Sequence, residues 1–256
     1  MKIFPRELTI KQREFIKLKD DWNEIKDLDF LRFVSSSIPD RAISAEKYTC
    51  YNPNKKIGIV SLYTPEISEH AIESELSVRR YAEMRGYTFH VYRDSIDKES
   101  HPNWSKPQAI LNHIRDHEVI IWMDSDTLIF NTHIRFEDIL SKCRPPQKIV
   151  ACRDIGNKSL LNTGVVMFRS HQYTVNLIER WANFTCDKSS LHSSGGDQEI
   201  LCEILKKSDP QGFNRKIFPM GEFNTDPRFV QEDTFILHLM GYRSILKNIF
   251  MKYWNS

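Results

Sequence analysis

Val119-Ile120-Ile121-Trp122-Met123-Asp124-Ser125-Asp126-Thr127-Leu128-Ile129-Phe130 is the stretch on which the fold turns. Its first half is apolar, β-branched and too short for a typical helix, which reads as a buried strand. It runs straight into two carboxylates separated by one serine, and a second apolar run follows. Ionised carboxylates in apolar surroundings are costly unless they are paired or bind a metal. The conflict is relieved if the strand ends at the carboxyl edge of an α/β sheet, where ligands bind, and the acids receive a divalent cation. The working expectation is an Asp-x-Asp metal site for a phosphate-bearing substrate. The plainer alternative is a solvated turn after a strand.

The segments around this strand alternate between strand and helix patterns. Ile57 to Tyr63 reads as a strand, residues 67–85 as a helix with Pro65 at its start, and Tyr87 to Tyr92 as a second strand. The repeat Ile72, Leu76, Arg80, Met84 marks that helix, and Gly86 is its expected C-terminal cap. A further helix is expected from Trp104 to about His117, with Ser105 as cap and Pro107 in its first turn. Downstream, Phe136 to Leu140 reads as a short helix, Lys148 to Cys152 and Val165 to Arg169 as strands, and residues 171–184 as an amphipathic helix. Ser193 to Gln198 reads as a polar turn feeding a helix over Glu199 to Lys207. Ile217 to Phe223 and Thr234 to Leu239 look like late strands, with a turn at Asn224 to Arg228 between them. The strand–helix–strand order predicts a parallel α/β unit with nucleotide-binding potential at its open edge.

The first 55 residues differ. Leu8 to Val34 is rich in Lys, Glu and Asp, with apolar positions at roughly helical spacing, and Ser35 to Asn54 reads as a connection. The expectation is a helical extension over 1–55 that docks on the main domain, with peripheral membrane association or a partner as the alternative.

Bulk composition excludes several classes. The chain has 256 residues, is 40% hydrophobic and 11% aromatic, and carries a net charge of +2 from 36 basic and 34 acidic residues. That supports a sizeable core and gives no reason to expect a nucleic-acid partner. No apolar stretch has the length of a bilayer span, and the start of the sequence lacks the apolar centre of a signal peptide. Five cysteines without Cys-x-x-Cys spacing indicate neither a disulfide framework nor a zinc site. A cytoplasmic setting is expected, with a Golgi lumenal domain as the alternative.

The chemistry centres on three side chains. Asp124 and Asp126 supply carboxylate oxygens, which hard divalent cations favour; a softer ion such as Mn²⁺ also accepts the imidazole of His238. A lone histidine after an apolar strand is more often structural, but the surrounding motifs bear on it. Arg79-Arg80-Tyr81-Ala82 with Gly86-Tyr87, Trp104-Ser105-Lys106, Trp122-Met123-Asp124-Ser125-Asp126, Asn162-Thr163-Gly164, Asp197-Gln198 and His238-Leu239-Met240-Gly241 occur in one order. This ordered set, over roughly residues 56–250, resembles glycosyltransferase family thirty-four, which holds galactosyl-, mannosyl- and xylosyltransferases.

The resemblance implies a GT-A fold over residues 56–256: Rossmann-like α/β, with a mixed, mostly parallel central sheet flanked by helices. It also implies a Mn²⁺-type cofactor and retention of anomeric configuration. The expected donor is a nucleoside-diphosphate sugar, UDP-galactose foremost, and the acceptor a glycan hydroxyl in polysaccharide synthesis. By the family pattern Asp124, Asp126 and His238 hold the metal, and Asp124 also contacts the nucleotide. Asn162 and Gly164 lie beside the donor sugar, and Asp197 and Gln198 near the anomeric centre. Ser61, Tyr63, Arg80, Lys106, Ser125 and Gly241 join the substrate-binding set. The family usually has a lysine where this chain has Arg243, so diphosphate binding falls to Arg243 or to the nearby Lys247. Lys106 has a solvated helix-start lysine as its alternative.

The expected mechanism is metal-assisted departure of nucleoside diphosphate, with the acceptor hydroxyl attacking from the same face. A double displacement would need a nucleophile beneath the sugar, for which Asp197 is the candidate. A phosphatase of the haloacid-dehalogenase type also uses Asp-x-Asp after a strand, but in the form Asp-x-Asp-x-Thr, whereas Thr127 follows Asp126 directly. A binding or assembly domain without turnover is the remaining alternative.

Overall fold

In the computed structural model, residues 41–42, 44–157, 159–184 and 196–255 are described. The helices expected within Leu8 to Val34 lie outside these residues.

The strand that begins the Asp-x-Asp stretch, Val119–Met123 (β4), is buried at every position. Its side chains alternate between two cores, as the pleat requires. Val119, Ile121 and Met123 join one cluster with Ala71, Val78 and Tyr81, whereas Ile120 and Trp122 join another with Ile110, Ile178 and Leu201. Each such side chain contributes roughly 1.5–3 kcal/mol on burial. A strand apolar on both faces therefore has to sit in the middle of a sheet covered on both sides.

That sheet has seven strands. They are β1 (Tyr48–Tyr51), β2 (Ile57–Leu62), β3 (Thr88–Tyr92), β4, β6 (Ile149–Cys152), β7 (Val165–Arg169) and β8 (Arg215–Phe218), in the order β1-β3-β2-β4-β7-β6-β8. β2, β3 and β4 are parallel, β8 is parallel to β6, and β1 and β7 run against their neighbours. The sheet is thus mixed and mostly parallel, as expected. Helices α1 (Ser68–Arg85), α2 (Ser105–Leu111), α3 (Phe136–Leu140), α4 (Gln172–Ala182) and α5 (Gly196–Ser208) cover it. Two short strands, β5 (Thr127–Ile129) and β9 (Ile236–His238), form a separate antiparallel ribbon. The ribbon packs through Leu128, Leu237 and Phe130 against Phe250 and Met251 of the last helix, α6 (Ser244–Asn255).

Several local expectations change. Residues 48–51, read as part of a connection, form edge strand β1, held by pairing with β3. The repeat Ile72, Leu76, Arg80, Met84 is not the core face of α1. Met84 is 62% exposed and Arg80 is exposed, while the buried face is Ser68, His70, Ala71, Glu73, Ser74, Ser77, Val78, Tyr81 and Ala82. Small side chains let that helix approach the sheet closely. Ser77 Oγ accepts a hydrogen bond from the backbone N–H of Ile129 at 3.1 Å. Gly86 does cap α1, in the left-handed conformation (φ 70°) that glycine adopts at no steric cost.

Helix α2 stops at Leu111, six residues short of His117, and Ser105 does not cap it. The Ser105 hydroxyl instead accepts from the N–H groups of Ile96 and Asp97. Asp197 and Gln198, read as part of a turn, occupy the first turn of α5. Helix α6 was not anticipated. Among the described residues no helix is long and apolar enough to cross a membrane. Among the described residues Cys50, Cys143, Cys152 and Cys202 are free thiols.

Candidate active site

The site forms where β4 ends. Asp124 leaves the strand with its N–H donated to the Gly164 carbonyl at 2.8 Å, and its own carbonyl accepts from Thr127 Oγ1 at 2.7 Å. These bonds close a tight turn at Ser125, which is buried, and start β5 immediately after it. Because β5 pairs with β9 in the register Thr127 to His238, the residue before Thr127 is brought against His238. The Leu239 N–H, donated to the Asp126 carbonyl at 3.0 Å, extends that pairing by one residue. The sheet register is thus why two acids and a histidine distant in sequence converge.

His238 Nε2 lies 3.1 Å from Asp126 Oδ1 and 3.8 Å from Asp124 Oδ2. One ligand atom from each of the three residues falls within 4.8 Å of the other two, and they are the one such group among the described residues. The donor set of two carboxylates and one imidazole suits a divalent ion of the Mn²⁺ type. The second nitrogen of His238 is already engaged, with Nδ1 3.1 Å from Asn224 Oδ1, so Nε2 is the nitrogen left to face the acids. The residues therefore fit a divalent cation.

Two lysines counter the acids from opposite sides. Lys247, on α6, places Nζ 2.6 Å from Asp126 Oδ2. Lys106, on α2, is buried with Nζ 3.0 Å from Asp124 Oδ1, 2.8 Å from Asp197 Oδ2 and 5.3 Å from the Trp122 ring. Lys106 is therefore not the solvated lysine weighed as its alternative. Trp122 Nε1 donates to Asp124 Oδ1 at 2.6 Å. Asp124 thus faces the α2–α5 side, and Asp126 faces β9 and α6.

The charges follow from these contacts. Burial alone would raise the Asp126 pKa, but His238 and Lys247 override it and hold the carboxyl well below its ordinary range. Burial would likewise lower His238, yet Asp126 and then Asp124 raise it above the ordinary imidazole value. Burial of Lys106 is outweighed by Asp124 and Asp197, which keep it firmly protonated.

The other expected residues fall into two groups. Asp197, Gln198, Asn162 and Gly164 join the cluster. Gln198 Oε1 accepts from the Thr163 N–H at 2.9 Å, and Trp181 Nε1 donates to the Asp197 carbonyl at 2.9 Å. Gly164 allows the approach of His238, since a Cβ there would lie 1.9 Å from His238 Cε1. Ser61 is buried at the carboxyl end of β2. Tyr63 is buried too, but its hydroxyl donates to Glu75 Oε2 at 2.7 Å, within a network that includes Arg93 and Tyr51. Gly241 takes a positive φ of 74°, turning the chain between β9 and α6, and Arg243 is exposed just beyond it. Arg80, exposed on α1, joins none of the contacts that knit the cluster together.

Three residues at the site carried no sequence signal. Asn224 sits in a stretch read only as a turn; the parallel bridge of Thr225 to Leu237 brings it beside His238. Asp154 follows β6 and accepts from Asn162 Nδ2 at 3.0 Å. His70, buried in α1, has its pKa pushed down to about 4 by burial, with Lys247 adding to the effect and Asp126 opposing it.

Residues 64–155 match the model of the galactosyl transferase GMA12/MNN10 family. Among solved structures, the chain is similar to a glycosyltransferase involved in glycosylation of the major capsid of PBCV-1. That likeness has a TM-score of 0.59 at 15% identity, covering 78% of this chain and 100% of that one. It is also similar to the apo-form glycosyltransferase GlyE of Streptococcus pneumoniae TIGR4, with a TM-score of 0.53 at 14% identity, covering 73% of this chain and 55% of that one. No curated protein matches the sequence significantly. Family match and fold support glycosyl transfer and give no support to the phosphatase alternative. Residues 64–155, which hold the Asp-Ser-Asp turn, thus resemble the galactosyl transferase GMA12/MNN10 family, and the chain built around them has the GT-A fold.

Proposed function

We propose that this protein is a metal-dependent, retaining glycosyltransferase that moves a hexose or pentose, galactose foremost, from a nucleoside-diphosphate sugar to a glycan hydroxyl. The observation that carries the reading is the convergence of Asp124, Asp126 and His238 at the carboxyl edge of β4, flanked by Lys106 and Lys247. A bound divalent cation would neutralise charge on the departing diphosphate. The protein's own residues do the rest. Asp124, Asp126 and His238 would hold the cation, and Lys247 and Arg243 supply positive charge on the α6 side. The buried Lys106–Asp197 pair shapes the floor beneath the sugar.

The state of Asp197 favours attack from the same face over double displacement. Its carboxylate is 1% exposed and bonded to Lys106 at 2.8 Å, so it is held as an ion-pair partner and is not poised as a nucleophile. Gln198, with its carbonyl oxygen on the Thr163 N–H, positions the strand end that leads into β7. In this mechanism the acceptor hydroxyl passes its proton to a diphosphate oxygen as the glycosidic bond to the leaving group breaks.

The proposal extends to UDP-galactose as donor, a cytoplasmic setting and polysaccharide synthesis. A donor-hydrolysis screen across nucleotide sugars, with Mn²⁺ and with a chelator, tests it. The expected result is release of nucleoside diphosphate from one donor, abolished by chelator. Turnover that persists in chelator would overturn the metal dependence. Nucleotide binding without product would favour a binding domain, and release of inorganic phosphate from a phosphomonoester would favour the phosphatase.

A further inference from the structure

We infer that Asp154, Asn162 and Asn224 form a positioning chain that sets the tautomer and the aim of His238. The inference rests on the metal site of the proposed function and names residues that act behind it.

The polarity of the chain can be fixed from one backbone group. The Gly164 N–H donates to the Asn162 side chain at 2.9 Å, so the atom it meets must be the amide oxygen. That same oxygen lies 2.8 Å from the Asn224 side chain, which must therefore present its NH₂ there. Asn224 then turns its own oxygen to His238 Nδ1 at 3.1 Å, and an amide oxygen only accepts. Nδ1 carries the hydrogen, and Nε2 is the nitrogen that would turn a lone pair to a cation held between Asp124 and Asp126. At the other end, Asn162 Nδ2 donates to Asp154 Oδ1 at 3.0 Å and contacts Met240 Sδ at 3.5 Å. The carboxylate of Asp154 thus anchors an ordered run of donors that ends on the metal-facing imidazole.

This assigns Asn162 a different task from contact with the donor sugar. Its oxygen takes two N–H groups and its nitrogen has two partners, which uses its whole hydrogen-bonding capacity. His238 is walled in on its other side by Gly164, where a Cβ would collide with the ring. One asparagine hydrogen bond and one missing side chain together leave the imidazole a single orientation. Partners of this kind behind a metal-bound histidine typically affect metal affinity by about 10–100-fold.

The test measures Mn²⁺ affinity by loss of the free-ion paramagnetic resonance signal, on the full chain, with folding checked by circular dichroism and melting. Asn224→Ala should weaken Mn²⁺ binding by about 10–100-fold. Asn162→Asp should also weaken it, because its carboxylate would face that of Asp154. The double variant Asp154→Asn with Asn162→Asp reverses donor and acceptor at that link and should restore binding, which a merely structural loss would not. In the metal-free protein, a long-range proton–nitrogen spectrum should show a protected His238 Nδ1–H that disappears in Asn224→Ala. Folded Asn224→Ala with unchanged Mn²⁺ affinity and an intact Nδ1–H signal overturns the inference. If the wild type binds no Mn²⁺, the metal reading falls instead, and the Nδ1–H signal alone decides the Asn224 contact.

Discussion

His238 and His90 are buried to nearly the same extent, 3% and 5% exposed, yet their pKa values move in opposite directions. His238 faces two carboxylates and is raised. His90, on β3, faces other imidazoles and is pushed down to about 3, mainly by burial and further by His113 and His117. The two regions use the same side chain for different ends. At the site, charges oppose one another closely enough to hold an ionised cluster beneath the surface. Around His90 a neutral stack replaces them: its ring lies 3.7 Å from that of His113, Nε2 is 2.9 Å from His117 Nε2, and Nδ1 is 2.9 Å from the Tyr48 hydroxyl. His117 Nδ1 faces the Lys55 carbonyl at 2.7 Å, so it must donate there, and His90 then donates to His117 and accepts from Tyr48. Burial pushes both imidazoles toward the neutral form; the carboxylates beside His238 reverse that, whereas the imidazoles beside His90 add to it.

The comparison is broken most completely by Asp126→Ala. It removes a proposed metal ligand and the main charge that raises His238, and it should abolish the proposed transfer, a loss of at least about 10³-fold given the scale of leaving-group stabilisation. Donor turnover measures it, and full activity in a folded variant would sink the proposed site. Next comes Lys106→Met, which leaves Asp197 buried without its cation. Stability should fall by about 3–5 kcal/mol, the usual cost of breaking a buried pair by removing one partner, read as a lower urea midpoint. A midpoint within error of wild type would mean Asp197 has another partner.

Gly164→Ala should displace the His238 ring and cost about 10²-fold in transfer, as misplacement near 1 Å commonly does. Mn²⁺ affinity should fall with it. The smallest effect belongs to the neutral stack. A histidine whose pKa is lowered on folding is refused a proton that the unfolded chain accepts. His90 therefore destabilises as pH drops below the unfolded value near 6.5, with a limiting slope of about 1.4 kcal/mol per unit, until its folded pKa of about 3 is reached. His238, raised on folding, acts above that window: its stabilisation is complete below the unfolded value and is lost as pH rises through its folded value. His90→Gln should accordingly show a smaller fall in Tm between pH 7 and pH 5 than wild type. An equal fall would place the acid sensitivity elsewhere.

Much of this fold was legible because β4 is apolar on both faces, and a strand of that kind has few places to go. The convergence of Asp124, Asp126 and His238 was readable from motif order. What escaped the sequence was whatever tertiary contact decides. The buried face of α1 interleaves Ser, His and Glu with Ala71, Val78, Tyr81 and Ala82, so the repeat through Ile72, Leu76 and Met84 was the louder signal. Edge strand β1 is polar and aromatic, and pairing with β3 alone gives it its form. Lys106 reads as a solvated helix start until Asp124 and Asp197 are seen on either side of it. Asn224 and Asp154 act through hydrogen bonds to Asn162 and His238, a role that leaves no periodicity to read.

The ribbon that carries His238 also sets an order of assembly. Asp126 and Lys247 meet across 121 residues of chain, and His238 joins them from the strand just before α6. Contacts of such separation close late, because loop-closure entropy is lost before they return any free energy. The seven-stranded sheet can gather its hydrophobic faces, with Lys106 of α2 beside Asp124, while Asp126 still lacks both of its cationic partners. Docking of β9 and α6 then supplies His238 and Lys247. The charged centre is in this sense the clasp of the folded molecule, fastened last, and it should be the first part of the described structure to exchange its amide hydrogens when the protein loosens.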